Sequence, residues 1–208
     1  MMLNTTHKLI SHAPNHLCDD VRSHLASTNW TEGRYNRSEQ TLKAGYVIEM
    51  PYAIRAFYQM TPDDEPLRVA AQSLIDWINT QDGLEGFEPV RGEIASLVPD
   101  ARLEVHYDMC WFHNNSRRLH IPLITNKNCW HYSQPAGSLA TVYHMQQDQL
   151  YELNNRIDHT AANEGTTDRV HLIVDFMPRD FLRKRMAEGA DPLALVPKNV
   201  PCEWLMDK

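Results

Sequence analysis

The chain has 208 residues, of which 42% are hydrophobic and 23% are charged, and its formal net charge is −7. These values are typical of a soluble globular protein, and we expect one domain, 1–208, with a sizeable core. The acidic balance argues against nucleic acid as a partner, because nucleic acid favours a basic patch. No apolar run approaches the ~20 residues that span a bilayer, so no membrane partner is expected.

The compartment is indicated by two further features. No signal peptide is visible, and the four cysteines are widely spaced without a CxxC pair. We therefore expect a cytoplasmic protein with reduced thiols.

Two helices are predicted in the N-terminal part of the chain. Residues 1–14 are polar, and we expect the start of this segment to be poorly ordered. Asn15 can cap a short helix whose apolar residues are spaced by four. After a predicted strand at 46–50, a second helix begins near Thr61 and ends near Gly83. Its stripe of period 3.6 indicates packing against the outside of a sheet; the stripe comprises Leu67, Ala71, Leu74, Ile75 and Ile78.

From Glu88 onward the pattern indicates strands. About eight short segments are separated by turns, at 94–98, 103–107, 119–125, 129–132, 139–145, 150–153, 157–161 and 169–176. Their number and spacing favour a mainly β, double-sheet jelly roll with a core of about residues 90–178. Residues 163–167 are predicted as the tip of the last hairpin and 181–188 as an amphipathic helix. The aromatic and polar stretch 109–116 is a loop, either near a substrate or simply at the surface.

A metal-binding pattern lies within these strands. His106 and Asp108 are two residues apart, so in a strand their side chains share a face. His159 is the candidate third ligand. Two histidines and one carboxylate form the facial triad of non-haem Fe(II) oxygenases, which leaves coordination positions open for a co-substrate and O₂.

Cationic groups lie on two further predicted strands. Arg169 is on the polar face of the segment 169–176, where it suits a bidentate clamp on a carboxylate. Arg118 and His120 share a face of the segment 119–125, with Arg117 in the place of Arg118 if the register differs by one. We assign no role to His131, His144 or His171, and we expect Asp175 to pair with a neighbouring strand or to cap the sheet edge.

Four blocks, 106–108, 118–126, 150–159 and 168–175, together resemble the aspartyl/asparaginyl β-hydroxylase family. The resemblance covers roughly residues 90 to 180. It implies a double-stranded β-helix of cupin-like shape, buttressed by N-terminal helices, and a 2-oxoglutarate- and Fe(II)-dependent oxygenase. It also implies that His106 and His159 are the metal histidines and that Arg169 pairs with the co-substrate carboxylate. Two further residues, Arg118 and His120, match positions that line the co-substrate pocket.

Two positions depart from the family pattern. Animal members that act on aspartyl residues have glycine where this chain has Asp108, whereas bacterial free-proline hydroxylases resemble this chain in having the full triad. Family members can also carry a serine about eleven residues before the first metal histidine, and here that position is Ala95, with Ser96 beside it. Both departures weaken the prediction of an aspartyl residue in a protein domain as the substrate.

The function expected from these residues is hydroxylation of an unactivated C–H bond in an amino acid or a peptidyl (Asp/Asn/Pro-like) substrate. Succinate and CO₂ would be released, with Fe(II) and 2-oxoglutarate as cofactor and co-substrate. The alternative is a cupin-like module that binds a metal or small ligand without turnover. Asp108 argues against halogenation, which needs a small residue at that position. The sequence leaves open the substrate, its free or peptidyl state, and the oligomeric state.

Overall fold

The computed structural model describes residues 5–25, 31–32, 42–44, 65–108 and 111–188. Within this part of the chain the strands are β1 (His7–His12), β2 (Thr31–Glu32), β3 (Leu42–Ala44), β4 (Phe87–Leu97), β5 (Ala101–Arg102), β6 (Arg117–Ile124), β7 (Cys129–Gln134), β8 (Thr141–Tyr143), β9 (Gln149–Leu153), β10 (Asp158–Asn163) and β11 (Arg169–Pro178). The helices are α1 (Asn15–Leu25), α2 (Glu65–Asn79), α3 (Trp111–Asn115) and α4 (Arg179–Ala187). The strand predicted at 46–50 lies outside the described residues.

The strands form two antiparallel sheets. The larger sheet has the order β1-β9-β6-β11-β4-β3-β2, and the smaller has the order β5-β10-β7-β8. Side chains of the two sheets meet between them, as where Arg169 of β11 contacts His131 of β7. The mainly β, two-sheet fold predicted from the sequence is thereby confirmed. None of the helices in the described ranges is long and apolar enough to cross a membrane.

The main hydrophobic core lies outside the barrel, between the larger sheet and the helices. Leu74 and Ile75 of α2 pack in one buried cluster with Val21 of α1 and with Ile121 and Leu172 of the sheet. The predicted stripe of α2 is therefore confirmed, since all five of its residues are buried in this cluster. Helices α1 and α2 buttress the larger sheet from outside.

The opposite face of the larger sheet is polar and also buried. In β11 the residues Val170, Leu172 and Val174 belong to the outer core, whereas Arg169 and His171 point into the barrel with exposures of only 4% and 0%. The polar face of a strand, which usually meets water, here lines the space between the two sheets. The elements thus place a dry apolar layer outside and a set of ionisable groups inside.

Residues 7–12 form strand β1, because the edge of β9 offers backbone partners. Three sequence predictions need correction. The segment 103–107 is not a continuous strand. β5 ends just before it, at Arg102, and the segment forms one isolated bridge, between His106 and His159. Residues 111–115 form a short helix rather than a loop. The turn at 164–167 joins β10 of the small sheet to β11 of the large one, so it is a crossover and not a hairpin tip.

Candidate metal centre and its adjoining arginine pocket

The three residues of the predicted triad lie together. His106 and His159 face each other across the isolated antiparallel bridge, closed by backbone N–H···O distances of 3.0 and 2.8 Å, and their ring centroids are 4.4 Å apart. Asp108 follows two residues later, and its amide donates to the carbonyl of Asn155 at 2.8 Å. One ligand atom from each of the three side chains lies within 4.8 Å of the others. This arrangement can hold one divalent metal ion.

The two imidazole rings are oriented by backbone carbonyls. His106 Nδ1 lies 2.7 Å from the carbonyl of Glu104, and His159 Nδ1 lies 2.9 Å from that of Ile157. A carbonyl oxygen only accepts, so in each neutral ring Nδ1 carries the proton and Nε2 keeps its lone pair. Burial lowers the pKa of His159, which favours the neutral form that a metal needs. Such carbonyl contacts are the usual support for metal-binding histidines.

The carboxylate of Asp108 is held through one of its oxygens. Its Oδ2 accepts from Arg118 Nη1 at 2.5 Å and from Asn155 Nδ2 at 3.0 Å, while Oδ1 lies 3.9 Å from His106 Nε2. Burial by itself would raise the pKa of Asp108, but the Arg118 cation and the nearby histidines His113, His159 and His106 together outweigh burial and hold the pKa well below its usual range. Asp108 is therefore ionised, with Oδ1 turned toward the histidines.

Arg118 is engaged in buried ion pairs. Besides Asp108, it donates from Nε and Nη2 to the two oxygens of Asp175, at 2.8 and 3.1 Å, and Nη2 lies 3.2 Å from His113 Nδ1. The neighbouring Arg117 points the other way and binds Glu152. The register therefore brings Arg118, and not Arg117, to the inner face, where it supports the metal centre.

Arg169 occupies a second, deeper part of the same interior. Its Nη2 lies 2.6 Å from His131 Nε2 and 3.0 Å from His171 Nδ1, and its Nε is buried without a partner. No carboxylate in the described ranges pairs with this guanidinium. Burial lowers the pKa of Arg169 to about 10, which is the expected response of a cation that has lost water without gaining an anion.

Three neutral histidines surround this arginine. Burial first, and the Arg169 cation second, lower the pKa of His120, His131 and His171 well below the ordinary value. Each ring has one buried nitrogen without a hydrogen-bond partner: Nε2 of His120, Nδ1 of His131 and Nε2 of His171. A buried cation and several unpartnered polar atoms make this polar cluster, which we call the arginine pocket, chemically suited to an anion with oxygen atoms.

The structure separates the six predicted site residues into two groups. His106, Asp108 and His159 form the candidate metal centre, with Arg118 beside it, whereas Arg169 and His120 belong to the deeper polar cluster. Three residues given no binding role from the sequence, His131, His171 and Asp175, belong to these surroundings. Alternation along β11 could have identified two of these residues, because His171 and Asp175 share a face of the strand with Arg169.

The structure also locates His113 of the segment 109–116 and the two positions Ala95 and Ser96. His113 of α3 is buried beside Arg118 and Asn155, so this short helix adjoins the metal carboxylate. Ala95 lies opposite His171 in the sheet, and Ser96 points away and donates to Asp168 at 3.1 Å. The serine contact of the family pattern is therefore not made by Ser96.

Comparison with known structures defines the class of fold. A "2OG-Fe(II) oxygenase family" protein from Burkholderia pseudomallei superposes with a TM-score of 0.58 at 13% identity, over 78% of this chain and 79% of that one. A prolyl hydroxylase from Trichoplax adhaerens, solved with a hypoxia inducible factor peptide fragment, gives 0.58 at 13% identity over 90% and 89%. The fold is that of the 2-oxoglutarate- and Fe(II)-dependent oxygenases, the predicted double-stranded β-helix.

Sequence comparison confirms the resemblance to one family within that class. Residues 78–178, just under half of the chain, match the family described as aspartyl/asparaginyl beta-hydroxylase. A curated relative, L-proline cis-4-hydroxylase from Rhizobium meliloti (strain 1021), is 30% identical over 95 residues. That match spans 44% of this chain and only 30% of the relative. All six predicted site residues fall within the matched segment 78–178.

Proposed function

We propose that the chain is a 2-oxoglutarate-dependent dioxygenase that uses Fe(II) to hydroxylate an unactivated C–H bond of an amino acid or peptidyl substrate. One observation carries this proposal: a His-Asp-His cluster lies in the same interior as a buried arginine that has no carboxylate partner among the described residues. A metal site and an anion site in one barrel are what an iron enzyme with an acidic co-substrate requires.

The donor set fits Fe(II). His106 and His159 offer neutral Nε2 atoms and Asp108 offers Oδ1, which is the two-histidine, one-carboxylate set that leaves positions open on a non-haem iron. The His106 side chain is 44% exposed, so the centre is reached from solvent on that side. A substrate entering there would meet the metal directly.

The arginine pocket fits 2-oxoglutarate. Arg169 would pair with the distal carboxylate through charge-assisted hydrogen bonds, and neutral His120 would line the same pocket. When bound, Fe(II) and 2-oxoglutarate supply the oxidation, in which O₂ is consumed, 2-oxoglutarate is converted to succinate and CO₂, and one oxygen atom enters the substrate. The protein's part is to bind, orient and exclude water.

A stack of aromatic rings supports the exclusion of water. Tyr143 lies between two histidines, with its ring centroid 3.6 Å from that of His7 and 5.4 Å from that of His131. His131 in turn contacts Arg169. β1 therefore has a role that composition did not predict, since His7 covers the wall of the arginine pocket from outside.

The similar proteins support only a general class of substrate. One relative is named for L-proline, and one structural neighbour was solved with a peptide. Both a free amino acid and a peptidyl side chain therefore stay within the proposal. We place the reaction in the cytoplasm and propose no nucleic-acid partner, both on the basis of composition and cysteine spacing.

The test is turnover with a matched pair of variants. Purified protein, Fe(II) and 2-oxoglutarate are incubated in air with individual amino acids and short peptides, and succinate and hydroxylated product are measured by mass spectrometry. We expect equal amounts of the two with at least one substrate, none with Asp108→Ala, and normal turnover with Arg117→Gln. If the wild-type chain binds metal but yields no succinate with any substrate, the non-catalytic cupin-like module is the better account.

A further inference from the structure

A row of buried charges leads away from the metal centre across the inner face of the larger sheet. Asp108 pairs with Arg118 at 2.5 Å, Arg118 with Asp175 at 2.8 Å, Asp175 with Arg91 at 3.5 Å, and Arg91 with Glu93 at 2.6 Å. All five side chains are at most 16% exposed. The signs alternate along the row, so each charge in it has an opposite neighbour.

Arg118 is shared unequally between its two carboxylates. Asp175 receives Nε and Nη2, which is the bidentate edge of the guanidinium, and Asp108 receives Nη1 alone. Arg118 and Asp175 are direct cross-strand partners in β6 and β11, in the middle of the larger sheet. The direction of the guanidinium is therefore set by Asp175, which lies on a rigid element, and Nη1 is left to reach Asp108.

Asp108 itself lies outside any strand. Its carboxylate is fixed by Arg118 and Asn155, and both hold Oδ2, so that Oδ1 is presented to the histidines. A guanidinium freed from Asp175 would be able to rotate and take both oxygens of Asp108 in a bidentate pair. Oδ1 would then be drawn away from the metal position.

We propose that Asp175 is a positioning residue for the metal centre. By occupying the bidentate edge of Arg118 it restricts that arginine to one oxygen of Asp108 and keeps the other oxygen available to the metal. This inference deepens the proposed function and rests on it, because it assigns a support role for the same metal site at a residue that contacts neither metal nor substrate.

The experiment compares two isosteric substitutions. Asp175→Asn removes the carboxylate that anchors Arg118. The matched control, Glu152→Gln, removes the carboxylate that binds Arg117, and Arg117 is the neighbour of Arg118 on the opposite face of β6. Both carboxylates are buried and both are bound to an arginine of the same strand. Co(II) affinity is measured by calorimetry without oxygen, and the visible Co(II) spectrum reports the ligand set.

We expect Asp175→Asn to weaken Co(II) binding by about 10- to 100-fold, the range typical of outer contacts to metal ligands, and to alter the spectrum. Glu152→Gln should bind Co(II) within about twofold of wild type. If Asp175→Asn does not fold, Arg118→Lys replaces it, since an ammonium cannot span two carboxylates in a fixed plane, and the same loss is expected.

Three results would overturn the inference. A folded Asp175→Asn or Arg118→Lys protein with wild-type Co(II) affinity and spectrum would show that Asp108 needs no such anchor. An equal loss of affinity in Glu152→Gln would show a general effect of removing a buried ion pair. Wild-type protein whose Co(II) binding is absent or unchanged by His106→Ala would refute the proposed metal site and this inference together.

Discussion

Replacement of Arg169 by methionine should separate the stability of the protein from its affinity for 2-oxoglutarate. Burial lowers the pKa of Arg169 to about 10, against about 12.5 for a free arginine, so the charged group is disfavoured by roughly 3 kcal/mol at neutral pH. Arg169→Met removes that cost but also deprives His131 and His171 of a donor, a loss of about 1–3 kcal/mol. The free energy of unfolding of the unliganded variant should therefore lie within about 2 kcal/mol of wild type.

Binding of the co-substrate should respond very differently. A carboxylate paired with Arg169 recovers the roughly 3 kcal/mol of burial cost, and this free energy corresponds to about 100-fold in affinity. We therefore expect Arg169→Met to bind 2-oxoglutarate at least about 100-fold more weakly. Calorimetry with the Co(II)-loaded protein, together with urea unfolding of the unliganded protein, measures both quantities.

The control is Arg117, a buried arginine that is paired with a carboxylate. Arg117→Met leaves Glu152 buried without its cation, so it should lower the free energy of unfolding by roughly 3 kcal/mol and leave 2-oxoglutarate affinity unchanged. An Arg169→Met protein that binds 2-oxoglutarate within threefold (about 0.7 kcal/mol) of wild type would refute the assignment of this pocket.

Three other substitutions give separate tests. Asp108→Ala should weaken Co(II) binding by more than about 100-fold, beyond the range of outer contacts, as calorimetry would show. The free energy of unfolding should fall as the pH drops below about 6.5. In the unfolded chain His120, His131 and His171 then bind protons, whereas in the folded protein their lowered pKa values keep them neutral. His171→Gln should reduce the loss of stability between pH 6.5 and pH 5.5 by about 1 kcal/mol in urea titrations; an unchanged loss would contradict the neutral state of His171. Leu74→Ala should cost about 2–5 kcal/mol of stability while leaving Co(II) affinity intact.

Part of the candidate metal centre was accessible from sequence, because the signal of His106 and Asp108 is local, whereas His159 lies far along the chain. His106 and Asp108 are two residues apart, and the spacing survives although the segment is a loop with one bridge and not the strand that was predicted. The apolar stripe of α2 was equally readable, since one helix face meets one core. Such patterns depend on a few neighbouring residues and little on the rest of the fold.

The surroundings of the site depend on pairing between distant strands. His171 alternates onto the polar face of its strand and was given no role, because the sequence does not show that a second sheet covers that face. Asp175 was predicted to pair with a neighbouring strand or to cap an edge, and only the register of β6 against β11 identifies Arg118 as its partner. β1 was not predicted, because its polar residues carry no core signal, and its order comes from pairing with β9.

Anaerobic optical titration tests most directly whether one barrel interior binds Fe(II) and 2-oxoglutarate together. Fe(II) and 2-oxoglutarate are added to the wild-type chain, Asp108→Ala and Arg169→Met, and the weak visible metal-to-ligand charge-transfer band is followed. We expect a saturable band in wild type, none in Asp108→Ala, and a band in Arg169→Met only at much higher 2-oxoglutarate. A wild-type protein without the band, or a band indifferent to both substitutions, would contradict joint binding at this site.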